Sequence, residues 1–289
     1  MIILLWHRLV GIVKFVKNIK HKIQKFEAKS IIISLSYICL ISEGLDMSVE
    51  PPKIVNKEYK IVQIVKETPD VKSFRLESMD NTRMDFSPGM FVMLAHKDAN
   101  GNMISRAFSI ASAPSDPYLE FEIHMVHGRF TSILDDAKIE DIYQVSGPYG
   151  QFKFDGSEAK VLFLAGGTGI APFLSMLKHI KNEKLNTNAI LLYSVRYPNE
   201  IIKKSELEGL QSEINFKMVV TVSRPQEEAS KGWEGETGHI SVEMIKKYAP
   251  DYMERTVYIC GPLGFAKACK DMLLSMGIEG SKIKADVWG

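Results

Sequence analysis

Residues Lys160 to Leu177 read KVLFLAGGTGIAPFLSML, and the second half of the chain takes its fold from them. Val161 to Ala165 form an unbroken apolar run of strand length, the pattern of a strand covered on both faces. Gly166, Gly167, Thr168 and Gly169 then break the run. Pro172 opens a helix, where its fixed φ is pre-shaped and its missing N–H is not needed. Glycines let the backbone turn tightly and approach a phosphate. The free amides and positive end of the helix add an anion site. This is not a Walker loop, because no Gly-Lys-Ser or Gly-Lys-Thr follows. Nor is it a full dinucleotide fingerprint, because Pro172 stands where the third glycine belongs.

Downstream the same alternation continues. AILLYSV, FKMVVTVS, TVYICG and KIKADVW read as buried strands, and the regions around KKSELEGLQ, SVEMIKKYA and LGFAKACKDMLLSMG read as amphipathic helices. Strand and helix in turn require a parallel sheet with helices on both faces. Upstream the pattern differs. KEYKIVQIV, VKSFRLES, GMFVMLA, SRAFSIA, LEFEIHMV and DIYQVSG are short β-branched or aromatic runs split by Pro, Gly, Asp and Asn. Such runs predict a small antiparallel barrel, interrupted by one short helix at TSILDD. The change falls near residues 155 to 158, so we read residues 47–156 as a barrel domain and 157–289 as an α/β domain.

The chain has 289 residues, 45% apolar and 25% charged, with 36 Lys and Arg against 35 Asp and Glu. This is soluble-globular composition, with no charge excess that would recommend a nucleic-acid partner. Residues 1–46 differ, with seven Lys and Arg against three acids. Their two apolar stretches are shorter than the roughly 20 residues a bilayer span needs. A basic amphipathic surface helix is the functional reading open to them, and any membrane contact would have to be made through this segment. We read it as an extension, with the working protein beginning at Met47. Cys39, Cys260 and Cys269 are too few for a four-thiolate cluster and wrongly spaced for a disulfide framework or a zinc site, which points to a reducing cytoplasm. His96, His124, His127, His179 and His239 show no metal-ligand spacing.

The barrel half carries its own constellation. Along a strand, Arg106 and Phe108 share one face and Ser109 takes the other. That arrangement suits an arginine on a phosphate beside an aromatic ring on a flat ligand. Gly128 to Ser132 (GRFTS) opens the short helix with further amides and hydroxyls, and Gly147 to Gly150 (GPYG) ends the last strand.

RAFS, GRFTS, GPYG, GGTGIAP and the late CGP at Cys260 to Pro262 occur in this order. With them, the chain from about Lys57 onward resembles the ferredoxin-NADP reductase superfamily, an antiparallel flavin-binding barrel followed by a parallel-sheet nicotinamide-nucleotide domain. The resemblance implies FAD and NADP as cofactors, with NAD the alternative. Arg106 then holds the flavin's phosphate, and Ser109 bonds near flavin N5. Phe108 stands for the family's tyrosine, keeping the ring and losing the hydroxyl, with Ala107 between. Ile123, His124 and Met125 lie where relatives contact the ribityl and ribose through backbone. Thr131, with Gly128, Phe130 and Ser132, matches the FAD pyrophosphate grip. Gly166, Gly167, Thr168, Gly169 and Pro172 match the dinucleotide pyrophosphate loop. Cys260, Gly261 and Pro262 lie beside the nicotinamide, and Trp288 resembles a terminal ring that covers the flavin. Met90 replaces the usual Gln of a Pro-Gly-Gln motif. Arg196, Ser223 and Arg224 end the second and third strands of the α/β half, with no acid before Glu200 to repel a 2'-phosphate, and the resemblance matches Ser223 and Arg224 to the pair that contacts that phosphate in NADP-dependent members. Ser109, Cys260 and Trp288 are the expected catalytic residues, and no metal is expected.

The implied activity is electron transfer: a hydride is exchanged with NAD(P)H and single electrons with a separate carrier such as ferredoxin, flavodoxin or another redox subunit. Within the same class stand the reductase component of a larger complex or oxygenase and a free-flavin reductase. From another class stands a nucleotide-binding regulatory module without redox turnover.

Overall fold

The computed structural model describes residues 53–288. The expected extension over residues 1–46, Met47 and Cys39 lie outside them.

The described residues form two six-stranded sheets. The first is antiparallel and contains β1 (Val55–Lys66), β2 (Val71–Ser78), β3 (Phe91–Lys97), β4 (Met103–Ser109), β5 (Leu119–His124) and β6 (Ile142–Tyr149) in the order β4-β3-β6-β1-β2-β5. Alternation explains it: β2 reads VKSFRLES, and Phe74 and Leu76 are fully buried. One short helix, α1 (Arg129–Asp135), follows β5 and closes on the core through Phe130 and Leu134. The sheet curls without closing. β4 and β5 are its two edges, and no ladder joins them. Ala111 N–H donates to the Glu120 carbonyl at 2.7 Å and Glu120 N–H to the Ser112 hydroxyl at 3.1 Å, and these bonds pin their near ends. Beyond that point the barrel stands open.

The second sheet is parallel throughout. β7 (Lys160–Gly166), β8 (Asn188–Val195), β9 (Phe216–Val222), β10 (Glu236–Thr237), β11 (Thr256–Pro262) and β12 (Ile283–Trp288) stand in the order β10-β9-β8-β7-β11-β12. α2 (Ala171–Asn182), α3 (Lys204–Glu213), α4 (Val242–Tyr248) and α5 (Leu263–Ser275) cover it, and separate apolar clusters fill the two faces. Phe163 of β7 stacks on Phe173 of α2 with ring centroids 4.8 Å apart. Burying such a pair contributes on the order of 1.5–3 kcal/mol per ring. α4 is capped by the Ser241 hydroxyl, which accepts from Met244 N–H. Trp233 packs at the edge of one cluster and donates from Nε1 to the Glu236 carbonyl.

Chain order turns back between β7 and β11, since β8 and β9 lie on one side of β7 and β11 and β12 on the other. In open parallel sheets the crevice at such a switch point, outside the carboxyl ends of the strands, is where ligands bind. The glycine loop sits there. A 3₁₀ turn, Gly167–Ile170, separates β7 from α2, so the helix begins at Ala171 with Pro172 in its first turn. Gly167 takes φ +55°, a conformation most side chains avoid. Gly169 lies so close to β11 that a Cβ would collide with the Cys260 carbonyl.

Candidate functional site

The open barrel seam forms a slot of about 460 Å³. Arg106 to Ser109 line it from β4 and Glu122 to His124 from β5. Because the outer edge of β5 has no strand partner among the described residues, its outward N–H and C=O groups are left for a ligand. Ile123 buries its side chain in the barrel core, so it offers the slot backbone alone. Met125 is buried in the same core. Arg106 is exposed at the rim, with no ion-pair partner among the described residues. Phe108 lines the slot with its ring partly against the core, 5.9 Å from Phe130. Phe130 itself is core, packed also against Tyr143.

Thr131 reaches the slot, but its hydroxyl is engaged: it accepts from Gly128 N–H at 2.9 Å and donates to the Gly128 carbonyl. Gly128 and Ser132 are exposed and outside the slot lining. Two acids that sequence reasoning passed over do line it. Asp286 of β12 has its carboxyl pushed up by burial. Glu122 is 5% exposed and pushed up to about 7, chiefly by burial.

A larger cleft of about 650 Å³ follows the strand ends of the parallel sheet. Gly166, Gly167 and Thr168 line it from β7, Arg196 from beyond β8, Ser223 from beyond β9 and Pro262 from β11. Gly169 and Pro172 are buried beneath, where they set the path of the loop. Cys260 is fully buried under Gly169 and lines neither cavity, whereas Pro262 of the same Cys-Gly-Pro lines the cleft. The cysteine at the cleft is Cys269 of α5, whose thiol is pushed up to about 12 by burial and stays protonated. Phe265 packs over Gly166 and Gly261, which only glycine permits at such closeness. Trp288 pairs through its backbone with Pro262 at the end of β12; its side chain lies outside the description. Arg224 stands off the cleft lining. It donates to the Tyr197 hydroxyl at 3.0 Å, covers that ring and has Glu227 at 3.6 Å.

His124 and Thr168 line both cavities, so slot and cleft meet there. Around this junction, charges bridge the two halves of the protein. Glu120, wholly buried, accepts from Arg75 at 2.8 Å, Lys178 at 2.5 Å and Lys203 at 3.1 Å. These cations hold it down to about 2 against the pull of burial. Lys203 also meets Glu67 at 3.0 Å and Glu122 at 3.6 Å. The strand LEFEIH alternates as if Glu120 and Glu122 faced water. The α/β half covers that face instead.

Residues 58–154 match the oxidoreductase FAD-binding domain family and residues 163–271 the oxidoreductase NAD-binding domain family. The glycine betaine monooxygenase reductase subunit of Pseudomonas aeruginosa is 33% identical over 236 residues, 80% of this chain and 63% of that protein. The propane 2-monooxygenase reductase component of Rhodococcus jostii is 29% identical over 78% of this chain and 62% of its own length. The chain thus spans less than two thirds of these relatives. Among solved structures, the ferredoxin reductase in carbazole 1,9a-dioxygenase superposes with a TM-score of 0.71 at 24% identity, covering 83% of this chain and 71% of its own. A ferredoxin NADP+ reductase from Neisseria gonorrhoeae, with bound FAD and NADP, gives 0.67 at 23% identity, covering 80% and 98%. No helix among the described residues is long and apolar enough to cross a membrane. With an open antiparallel flavin barrel, a parallel nucleotide sheet whose glycine loop lies at the switch point, and both domain families matched in order, the chain belongs to the ferredoxin-NADP reductase superfamily of FAD-dependent oxidoreductases.

Proposed function

We propose that this chain is an NAD(P)H-dependent flavin reductase that supplies single electrons to a separate redox protein. The observation that carries it is the junction of slot and cleft at His124 and Thr168, which brings one ligand's edge against the other's. The residues present fit a flavin. Glu122 Oε2 is buried in the slot wall with no hydrogen-bond partner among the described residues, open to a polar group of a ligand. The rim guanidinium of Arg106 is suited to a phosphate. Bound FAD would accept two electrons as hydride from NAD(P)H and release them one at a time.

The protein's own part is orientation and exclusion of water. Arg106 anchors the phosphate end, the β5 backbone at Ile123 and His124 holds the sugar chain, and Ser109 presents a hydroxyl in the slot. The Gly166 to Thr168 turn receives the dinucleotide's diphosphate at the cleft floor, and Ser223 with Arg224 favours NADPH. The catalytic roles expected of Cys260 and Trp288 are not part of this assignment: the first is buried beneath the loop, and no side chain is described for the second.

The relatives that are monooxygenase reductase subunits favour an oxygenase as the recipient system. Three cysteines in the sequence cannot supply a four-thiolate cluster, so the one-electron carrier lies outside it. The test is anaerobic titration of FAD-loaded protein with NADH and NADPH in parallel, followed by one-electron acceptors. Bleaching of the flavin by either nucleotide supports the assignment. A protein that takes up FAD but is bleached by neither overturns it.

A further inference from the structure

Asp70 ends the turn between β1 and β2, in a Thr-Pro-Asp that the sequence marks only as a turn. In the structure it reaches across the mouth of the nucleotide cleft. Its Oδ2 accepts from Arg196 Nη2 at 2.9 Å and from His124 Nε2 at 3.0 Å, and its Oδ1 accepts from the Thr68 hydroxyl at 3.2 Å. Despite burial, His124, Thr68 and Arg196 hold the carboxyl below its ordinary range, so it is an anion. Glu200 grips Arg196 from the other side: Nη2 lies 2.5 Å from Oε1, and Nε and the backbone N–H both donate to Oε2. Asp70, His124, Arg196 and Glu200 all line the cleft, together with the glycine turn.

Asp70 and His124 belong to the barrel half, Arg196 and Glu200 to the α/β half. The contact is the outer member of a row of ion pairs between the halves. Inward of it, Lys203 and Lys178 meet Glu67, Glu120 and Glu122 with little exposure. At the mouth, the Arg196 and Asp70 side chains are 47% and 33% exposed. The inner pairs hold the halves together, and the outer one is open to exchange with an incoming anion.

We propose that Asp70 is an affinity-setting residue of the nucleotide cleft: it occupies the Arg196 guanidinium in the nucleotide-free protein, and the diphosphate of an incoming nicotinamide dinucleotide must displace it. This rests on the assignment of the cleft to NAD(P)H. Two carboxylates hold Arg196, but they are not equivalent. Glu200 is on the same loop, four residues away, and keeps the guanidinium aimed at the cleft. Asp70 comes from the opposite wall and stands where an anion on the glycine turn would approach. Displacement exchanges one carboxylate for one phosphate at the same donor and leaves Asp70 with His124 and Thr68. Asp70 therefore weakens binding chiefly by competing for Arg196, and its repulsion of the dianion, screened at this half-exposed mouth, adds a smaller part.

The experiment is equilibrium binding, by calorimetry, of ADP-ribose and 2'-phospho-ADP-ribose to FAD-loaded full chain. These probes carry the diphosphate but no nicotinamide, so they report binding without turnover. Asp70→Asn keeps the shape of the side chain. It is expected to tighten the better probe about three- to tenfold, as removal of a half-exposed ion pair and a nearby like charge implies. Asp70→Ser repeats the charge removal with a different side chain, should the first variant lose FAD. In an Arg196→Ala background, which itself binds more weakly, either substitution is expected to change affinity less than twofold. In turnover, Asp70→Asn should lower KM and leave kcat within about twofold, a split that damage to the fold does not produce. An unchanged or weaker affinity on Asp70→Asn overturns the proposal. So does an equal gain with and without Arg196, because that would be bulk charge and not competition. Failure of the parent chain to bind either probe overturns the nucleotide reading itself; binding by the parent with no effect of Asp70 overturns only the competition.

Discussion

Replacing Glu122 by Gln should stabilise this protein at pH 8 and hardly change it at pH 5. The cluster around Lys203 contains four carboxylates, Glu67, Glu120, Glu122 and Glu206, and three cations, Arg75, Lys178 and Lys203. One negative charge is in excess, in a region where Glu120 and Glu122 are almost wholly buried. Low dielectric makes that excess costly, and the carboxyl with the weakest cation contact carries the strain. That carboxyl is Glu122, whose nearest cation is Lys203 at 3.6 Å, whereas Glu120 has Lys178 at 2.5 Å, Arg75 at 2.8 Å and Lys203 at 3.1 Å.

Burial accordingly raises Glu122 from its ordinary 4.5 to about 7, while Glu120 is lowered to about 2. The two have opposite linkage. Glu120 contributes stability at neutral pH that is lost as pH falls from about 4.5 through 2. Glu122 favours its protonated form in the folded state, so its contribution is neutral below about 4.5, and a penalty builds as pH rises to 7, reaching about 3 kcal/mol above it. Glu122→Gln removes that penalty and keeps a partner for the Ser73 hydroxyl, which lies 3.1 Å from Oε1. Lys203 retains Glu67 and Glu120, its two nearer partners. Urea unfolding of the FAD-free protein from pH 5 to pH 8 should therefore show parent and variant diverging by about 2–3 kcal/mol toward high pH. A constant difference across that range would mean that Glu122 is ionised throughout and the excess charge is compensated elsewhere.

Arg106→Ala should weaken FAD retention by about 1.5–3 kcal/mol, a charge-assisted phosphate contact, measured as flavin fluorescence released on dilution; tight retention would place the phosphate away from this rim. Arg224→Ala should lower kcat/KM for NADPH by roughly ten- to hundredfold and leave NADH nearly unchanged; equal losses would mean that its bond to Tyr197 only holds the loop. Gly169→Ala should cost about 2 kcal/mol or more, because its Cβ collides with the backbone of β11. Thermal unfolding and the affinity for ADP-ribose should fall together, and an unaltered melting temperature would refute the close approach.

Both sheets were legible from residue periodicity alone. Alternation in VKSFRLES and continuous burial in VLFLA are local patterns, set by which faces of a strand are covered, and the glycine–proline punctuation after Ala165 is local chemistry. The slot is only half legible. Arg106 and Ser109 are placed by their own strand, but that the barrel opens beside them depends on β4 and β5 failing to pair, a property of the whole sheet. What tertiary structure alone decided is which polar groups are already taken. Cys260 reads like a cleft residue and is sealed beneath Gly169, whereas Cys269, to which the sequence attached no role, is buried on α5 and lines the cleft. Arg196 reads as a phosphate ligand and is held by Asp70, 126 positions earlier. Glu120 and Glu122 read as the wet face of a strand and meet Lys178 and Lys203 from the other half. Periodicity records whether a residue faces away from its own core. It carries no information about what a distant segment lays against that outward face, and there the balance of desolvation and pairing sets charge, affinity and access.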